Sequence, residues 1–223
     1  MKKFILTFII VIASLSASRA QRGPLKGSGI IMTRSFDYKD FDKLNFRDLN
    51  GKIEVETGRP FSVTVDIDDN LEPLLQVTSV RGTLMVALKG NKSNNMYIED
   101  THIKIRVTLP EISILEHLGN THLTISGISG RIFRLVNDGN GNVMAKGSIE
   151  ELEMSNSGNG DIDAGNLETQ SAKITKRGNG DVTVNVSTQL QVSASGNGDV
   201  INKGKANFQV IEKTGNGDLI KKN

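Results

Sequence analysis

In the second half of the chain, apolar and polar residues alternate around a recurring Gly-Asn-Gly motif. The motif begins at Gly139, Gly158, Gly178, Gly196 and Gly215, at intervals of 19, 20, 18 and 19 residues. The residue four positions after each first glycine is apolar, and so are most alternate residues on either side of it. Alternation with a period of two is typical of strands that bury one face. Each repeat therefore predicts two or three short strands joined by tight turns.

Self-similarity at this period predicts a stacked architecture, in which every unit buries its apolar face on its neighbours. We predict an all-β fold, a right-handed parallel β-helix (a β-solenoid) with coils of about 19 residues, and regular repeats over residues 119–219. A degenerate copy, Gly119-Asn120-Thr121-His122, precedes the five intact motifs. Residues 35–110 alternate in a similar way without the repeat, and Arg81-Gly82 predicts a hairpin turn. These N-terminal strands are expected to form the first coils and to cap the apolar end of the stack.

The Gly-Asn-Gly motifs are predicted to form one corner of every coil. Glycine adopts positive φ without steric cost, asparagine tolerates it better than most residues, and stacked asparagine side chains can hydrogen-bond along a ladder. This structural turn ladder comprises Gly139, Asn140, Gly141, Gly158, Asn159, Gly160, Gly178, Asn179, Gly180, Gly196, Asn197, Gly198, Gly215, Asn216 and Gly217. A second corner is indicated by a glycine series that Val186 interrupts, namely Gly127, Gly147, Gly165 and Gly204.

The first twenty residues have the layout of a secretory signal peptide, with Lys2 and Lys3, an apolar run over Phe4–Leu15 and small residues up to Ala20. We expect cleavage near Ala20 and export to the periplasm, the outer surface or the medium, with no transmembrane segment in the mature chain. A linker over 21–34 and a single domain over 35–223 would then remain.

Removal of the signal peptide would change the charge balance. It would take Lys2, Lys3 and Arg19 from the 27 basic residues of the chain and leave 24 against 25 acidic ones. A near-neutral chain in which aromatic residues make up 4% lacks the basic stripe and the stacking surface of nucleic-acid-binding proteins. We therefore expect no nucleic-acid partner.

The composition offers little catalytic chemistry. The chain has no cysteine, which excludes disulfides and thiolate catalysis. Its three histidines, His102, His117 and His122, lack the spacing of a catalytic or metal-binding arrangement and are expected to be surface or strand residues. We predict no catalytic residues and no cofactor.

The aspartates that follow four of the motifs, Asp161, Asp181, Asp199 and Asp218, leave two alternatives open. Oxygen ligands on turns suit calcium, which would make the protein a calcium-stabilised structural solenoid. Glycoside hydrolysis needs two carboxylates about 5–10 Å apart, which stacked aspartates such as Asp161 and Asp181 could provide in a polysaccharide-active β-helix enzyme. No further catalytic group accompanies them, so a non-catalytic role is preferred.

Several short segments occur in a characteristic order between about Phe36 and Asp218. They are Phe41-Asp42-Lys43-Leu44, Gly82-Thr83-Leu84, Val107-Thr108-Leu109-Pro110 and the Gly-Asn-Gly-Asp series. In this order the chain resembles the bacterial putative auto-transporter adhesin, head GIN domain family. The resemblance implies an exported β-solenoid of uncharacterised function, with no family catalytic residues to carry over.

We accordingly expect a non-catalytic module of the envelope or cell surface that acts in binding, adhesion or scaffolding. Its partner would be an unknown protein or glycan of the envelope, and a homo-oligomer is possible. Candidate contact residues are polar residues on the outward strand faces, Thr183, Asn185, Gln189, Gln191 and Ser193.

Overall fold

The computed structural model describes residues 25–91, 96 and 98–222, and the fold of these residues is all-β, as the alternation predicts. The signal peptide predicted for residues 1–20 lies outside the described residues. The described part of the chain contains no α-helix, and a 3₁₀ turn at Glu72–Leu74 is its one helical segment. None of the described residues forms a helix long and apolar enough to span a bilayer.

The strands of the first half are short. They are β1 (Leu25–Lys26), β2 (Ile31–Phe36), β3 (Lys43–Arg47), β4 (Lys52–Thr57), β5 (Ser62–Asp68), β6 (Leu75–Val80), β7 (Thr83–Leu88), β8 (Ile98–Glu99) and β9 (Lys104–Leu109). The second half contains three much longer strands. Its strands are β10 (Ile114–Leu118), β11 (His122–Ile128), β12 (Ile132–Asn137), β13 (Val143–Asn156), β14 (Ile162–Arg177), β15 (Val182–Ser195), β16 (Val200–Asn202), β17 (Phe208–Lys213) and β18 (Leu219–Lys221).

The long strands β13, β14 and β15 each belong to two faces of the sheet. The first part of β13 pairs with β11 and its second part pairs with β12. The register between β13 and β14 shifts between Met144 and Lys146, near the point where the strand passes from one face to the other. Register irregularities of this kind bend a strand, and the hydrophobic core lies between the two faces.

Successive repeats pair in parallel, in a register that follows the motif. Val143 is paired with Ile162, Ile162 with Val182, and the series continues to Val200 and Leu219. The members from Val143 to Val200 are almost completely buried, because equal phase brings the apolar positions of all copies to the same side. We call the segment that one repeat contributes to both faces a layer, and neighbouring layers lie about 4.8 Å apart.

Two further layers come from the first half, but their order in space differs from their order in the chain. Strand β3 lies between β7 and β10, and β4 lies between β9 and β11, all in parallel. Residues 43–57 are therefore enclosed between residues 83–109 and 114–128. A later part of the chain covers an earlier one, which a sequential stack of coils would not do.

Antiparallel strands complete this end of the sheet. The antiparallel pairs are β2 with β5, β5 with β9, and β6 with β7. The sheet is mixed, so a right-handed parallel β-helix over the whole of 35–223 is not confirmed. Part of the reason is local: Arg81 and Gly82 have positive φ angles of 50° and 75°, and a two-residue turn of this kind returns the chain antiparallel to itself.

Strands also begin earlier in the chain than the sequence indicates. Strand β1, which pairs with β8 in a separate two-stranded sheet, and the start of β2 lie inside the stretch 21–34, where the sequence predicts a linker. Strand β2 exposes most of its residues, including Ile31. Because an edge strand of this kind buries little apolar surface, it has no clear alternation to reveal it.

Candidate functional site

The motif asparagines form a hydrogen-bonded ladder on the outside of the first corner. Each Nδ2 donates to the Oδ1 of the asparagine one layer earlier, at distances of 2.8–3.0 Å. The ladder contains Asn120, Asn140, Asn159, Asn179, Asn197 and Asn216. It therefore includes the degenerate copy as well as the five intact motifs.

The motif glycines let the backbones of neighbouring corners approach closely. A Cβ atom at Gly158 would lie 1.8 Å from the carbonyl oxygen of Gly139, and one at Gly160 would lie 2.1 Å from that of Gly141. Positive φ occurs at only some of the motif glycines, such as Gly178 at 121°. Contact between layers, more than turn conformation, thus explains why glycine stands at these positions.

The motif aspartates form a third element of this corner, next to the ladder. The backbone N–H groups of Asp181, Asp199 and Asp218 each donate to the Oδ1 of the preceding aspartate at 2.8 Å. In the first copy the N–H of Asp161 donates to the amide oxygen of Asn142 at 2.9 Å. Among the residues that the structure describes, no group of three or more His, Cys, Asp or Glu side chains is placed to hold a metal ion.

We expect Asp161→Asn to leave stability nearly unchanged, because an amide oxygen can accept the N–H of Asp181 as Asn142 accepts that of Asp161. The free energy of unfolding, measured in urea, should change by less than about 0.5 kcal/mol. The control Asp161→Ala removes the acceptor and should cost about 1 kcal/mol. A loss in Asp161→Asn as large as that in Asp161→Ala would mean that the carboxylate charge itself is needed, as a bound cation would require.

A second row of polar side chains lies inside the same corner, and the sequence analysis missed it. In the first four copies the residues two positions before the first glycine are His117, Asn137, Asn156 and Lys176, each at most 1% exposed. The last two copies have the buried Ala194 and the exposed Lys213 there. In an alternating strand this position lies on the same face as the buried residues four and six before the motif. Polar residues at a position on the otherwise apolar face are the signal that could have located the row.

The members of this inner row bond to one another and to the corner around them. His117 Nδ1 donates to Asn137 Oδ1 at 2.7 Å, and the Thr121 hydroxyl donates to His117 Nε2 at 2.6 Å. Asn137 Nδ2 donates to Asn156 Oδ1 at 3.1 Å. Asn137, Asn156 and Lys176 also donate to the corner carbonyl oxygens of Gly141, Gly160 and Gly178, respectively. The row thus satisfies corner carbonyls from the inside while the ladder joins the layers outside.

Burial controls the ionisation of the two basic members of the row. It lowers the pKa of His117, although the hydrogen bond to Asn137 acts in the opposite direction. Burial also lowers the pKa of Lys176, opposed by the charges of Asp181 and Asp199. A neutral imidazole with its proton on Nδ1 fits the bonds of His117, because Asn137 Oδ1 can only accept.

The lowered pKa of His117 predicts a pH-dependent stability. The unfolded chain binds a proton at His117 below about pH 6.5 while the folded chain still excludes it. Stability should therefore be complete above that pH and fall as the pH drops towards 5, by at most about 1.4 kcal/mol per pH unit. Urea unfolding at several pH values would measure this slope, and His117→Asn, which can still donate to Asn137, should reduce it. An equal slope in both proteins would assign the effect to other groups.

The remaining histidines and the candidate contact residues lie outside the core. His102 and His122 are exposed, and His102 Nδ1 is 3.2 Å from Oδ1 of the buried Asp68. Thr183, Asn185, Gln189, Gln191 and Ser193 are half-buried or exposed along β15. They do not form one cluster, because the register between β14 and β15 shifts between Thr183 and Gln189.

A cleft of about 890 Å³ runs along the second corner of the stack. Five layers contribute to it, and its lining includes Ser129, Ser148, Glu168, Asn185 and Lys203. Asn185 is the one candidate contact residue of the sequence analysis that lines this cleft.

The cleft lies where neighbouring layers differ in length. Ala164 pairs with Val184 and Glu168 pairs with Asn185, so residues 165–167 of β14 have no counterpart in β15. The longer corner of β14 thus adjoins a shorter one at Val186. In the next layer Asn202 is fully buried, and its Oδ1 accepts the N–H groups of Val186 and Gly204 at 2.9 and 3.0 Å. The interruption of the glycine series at Val186 was the sequence signal of this irregular corner.

Comparison with known proteins supports a family assignment. The family model described as putative auto-transporter adhesin, head GIN domain, matches residues 40–206. A crystal structure of a putative adhesin from Bacteroides fragilis has a TM-score of 0.68 at 20% identity, covering 89% of this chain and 100% of its own. A putative lipid binding protein from Parabacteroides distasonis has a TM-score of 0.51 at 19% identity, covering 90% and 100%. These two likenesses concern the fold alone, and no curated protein matches the chain. The match over residues 40–206 shows that the chain belongs to the putative auto-transporter adhesin, head GIN domain family.

Proposed function

We propose that the protein is an exported, non-catalytic module of the cell envelope or cell surface that binds an extended partner, in adhesion or as a scaffold. The observation that carries this proposal is the cleft of about 890 Å³ to which five consecutive layers contribute polar side chains. Membership of an adhesin family supports it. We also propose that the parallel part of the sheet winds as a right-handed β-solenoid with coils of about 19 residues, as the repeat period suggests.

The two corners of the stack differ in a way that suits such a role. The first corner is fixed by the asparagine ladder outside and the polar row inside, so its side chains are bonded within the protein. The second corner has unequal layers and exposed polar side chains such as Glu150, Gln170 and Lys205. A rigid support on one side and free hydrogen-bonding groups on the other are what a binding module needs.

A glycan array incubated with the purified protein tests this function, together with adhesion assays on beads coated with the protein. Retention of a defined class of envelope glycan or protein, without chemical change to it, is the expected result. Absence of any retained partner in both assays would contradict a binding role. Turnover of a polysaccharide that is lost in Asp161→Asn combined with Asp181→Asn would instead support the enzyme alternative.

A further inference from the structure

We propose that the cleft at the second corner binds a neutral, extended, β-1,4-linked polysaccharide chain that lies along the stacking direction. This inference rests on the proposed binding function and assigns it a site and a ligand class. It depends on the length of the cleft, on its period, and on its mixture of charged and uncharged polar groups.

The cleft has the dimensions of a site for a polymer. Its lining extends from Ser129 to Lys205 across five layers, which gives a length of about 20 Å at the spacing of neighbouring strands. A single small molecule would occupy part of that length. A chain that follows the cleft would meet every layer in turn.

The period of the layers distinguishes between polymers. An extended polypeptide advances about 3.3 Å per residue while neighbouring strands are about 4.8 Å apart, so its residues fall out of step with the layers. A sugar ring in an extended β-1,4-linked chain advances by a length close to that strand spacing. Successive rings would then face successive layers, and each ring could use the same kind of contact.

The side chains of the cleft suit a ligand that is rich in hydroxyl groups and has no net charge. Glu150 and Glu168 accept hydrogen bonds, Lys203 and Lys205 donate them, and Asn185 does both. The carboxylates come from earlier layers and the lysines from the last layer of the cleft. A polyanion would be repelled by the first pair and a polycation by the second, whereas sugar hydroxyls can bond to both.

Isothermal titration calorimetry tests this site. The purified protein is titrated with cello-oligosaccharides of one to six rings, and the affinity for each is measured. Affinity should rise by about tenfold or more between two and five rings and then level off, because the cleft accommodates about four to five rings at one per layer. Hydroxyethyl cellulose in a native gel should retard the protein, and polygalacturonate should not. Affinity that is independent of chain length would overturn the proposal.

A variant that fills the cleft locates the binding. Ser187 is exposed and lines the cleft, so Ser187→Tyr should weaken binding of the six-ring oligosaccharide by about tenfold or more. The matched control is Ser195→Tyr, at a half-buried serine of the same strand that does not line this cleft, and it should bind as the unaltered protein does. Thermal unfolding of both variants would establish that each is folded.

The outcomes separate this inference from the proposed function. If both tyrosine variants weakened oligosaccharide binding equally, or if neither weakened it, the glycan would bind elsewhere on the protein. The assignment of the site to the cleft would then be wrong, while a binding function would still stand. Binding of an extended peptide in place of any cello-oligosaccharide would overturn the ligand class only. Hydrolysis of hydroxyethyl cellulose, lost in Glu150→Gln or Glu168→Gln, would overturn the non-catalytic function itself.

Discussion

Gly158→Ala is expected to destabilise the protein by about 3 kcal/mol or more, the upper end of the cost of overpacking a close-packed interior. The new Cβ would lie 1.8 Å from the carbonyl oxygen of Gly139, which is a backbone atom that no rotamer change can move. Relief requires the two layers to separate at the corner, where the N–H of Gly160 donates to that same oxygen at 3.2 Å. Urea unfolding followed by far-ultraviolet circular dichroism would measure the loss.

The matched control is Gly119→Ala, at the same position of the degenerate copy. There the nearest atoms, including Asp48 N and Leu49 N, are 3.5 Å from the added Cβ, which is ordinary van der Waals contact. This variant should stay within about 1 kcal/mol of the unaltered protein, since alanine also restricts the unfolded chain. Similar losses in both variants would show that the close approach of layers is not what glycine serves.

Asn137→Leu is expected to cost about 3 kcal/mol or more, although leucine is close to asparagine in size and the site is fully buried. The substitution leaves His117 Nδ1 without its acceptor, and Asn156 Oδ1 and the Gly141 carbonyl oxygen without the donor they share. Each buried polar group that loses its partner costs about 1–3 kcal/mol. The free energy of unfolding at pH 7.5, where His117 is neutral, is the quantity to measure.

Asn140→Ala provides the comparison from the outside of the same corner. Asn140 bonds to Asn120 and to Asn159 in the ladder, but it is exposed, so water can replace the lost bonds. Its loss should be about 1 kcal/mol or less. If Asn140→Ala were the more harmful of the two, the outer ladder and not the inner row would hold the corner together.

Much of the fold could be predicted because every repeat has apolar residues at the same positions. One apolar column, Val143 with its equivalents, predicts the all-β class, the strand positions and the in-phase register, since any shift by one residue would expose the whole column. The first half lacks this redundancy. Alternation within β3 and β7 does not reveal that they pair with each other, and it does not reveal that β5 runs antiparallel to both of its neighbours. The antiparallel pair of β6 and β7, by contrast, follows from the hairpin turn predicted at Arg81-Gly82.

The functional surfaces were harder to predict for opposite reasons at the two corners. The inner row was missed because His117 and Lys176 are residue types that usually lie at the surface, and burial with hydrogen-bond partners overrides that preference. The cleft was missed because it depends on a difference between layers, and aligning repeats emphasises what they share. The short interval before Gly196 and the interruption at Val186 record that difference in the sequence.

The parallel register of the second half also has a mechanical consequence. Each layer bonds to its neighbours through strands about 19 residues apart in the chain, so tension applied on the C-terminal side of β18 would act first on β18 and β17, which pair with β16 and β15. These strands would peel away before the layers beneath them. Each further layer would then release about 19 residues, or about 65 Å of extended chain, before the next one carries the load. Under a pulling force the stack would therefore lengthen in steps and absorb work at each one, while the cleft of the remaining layers stays assembled.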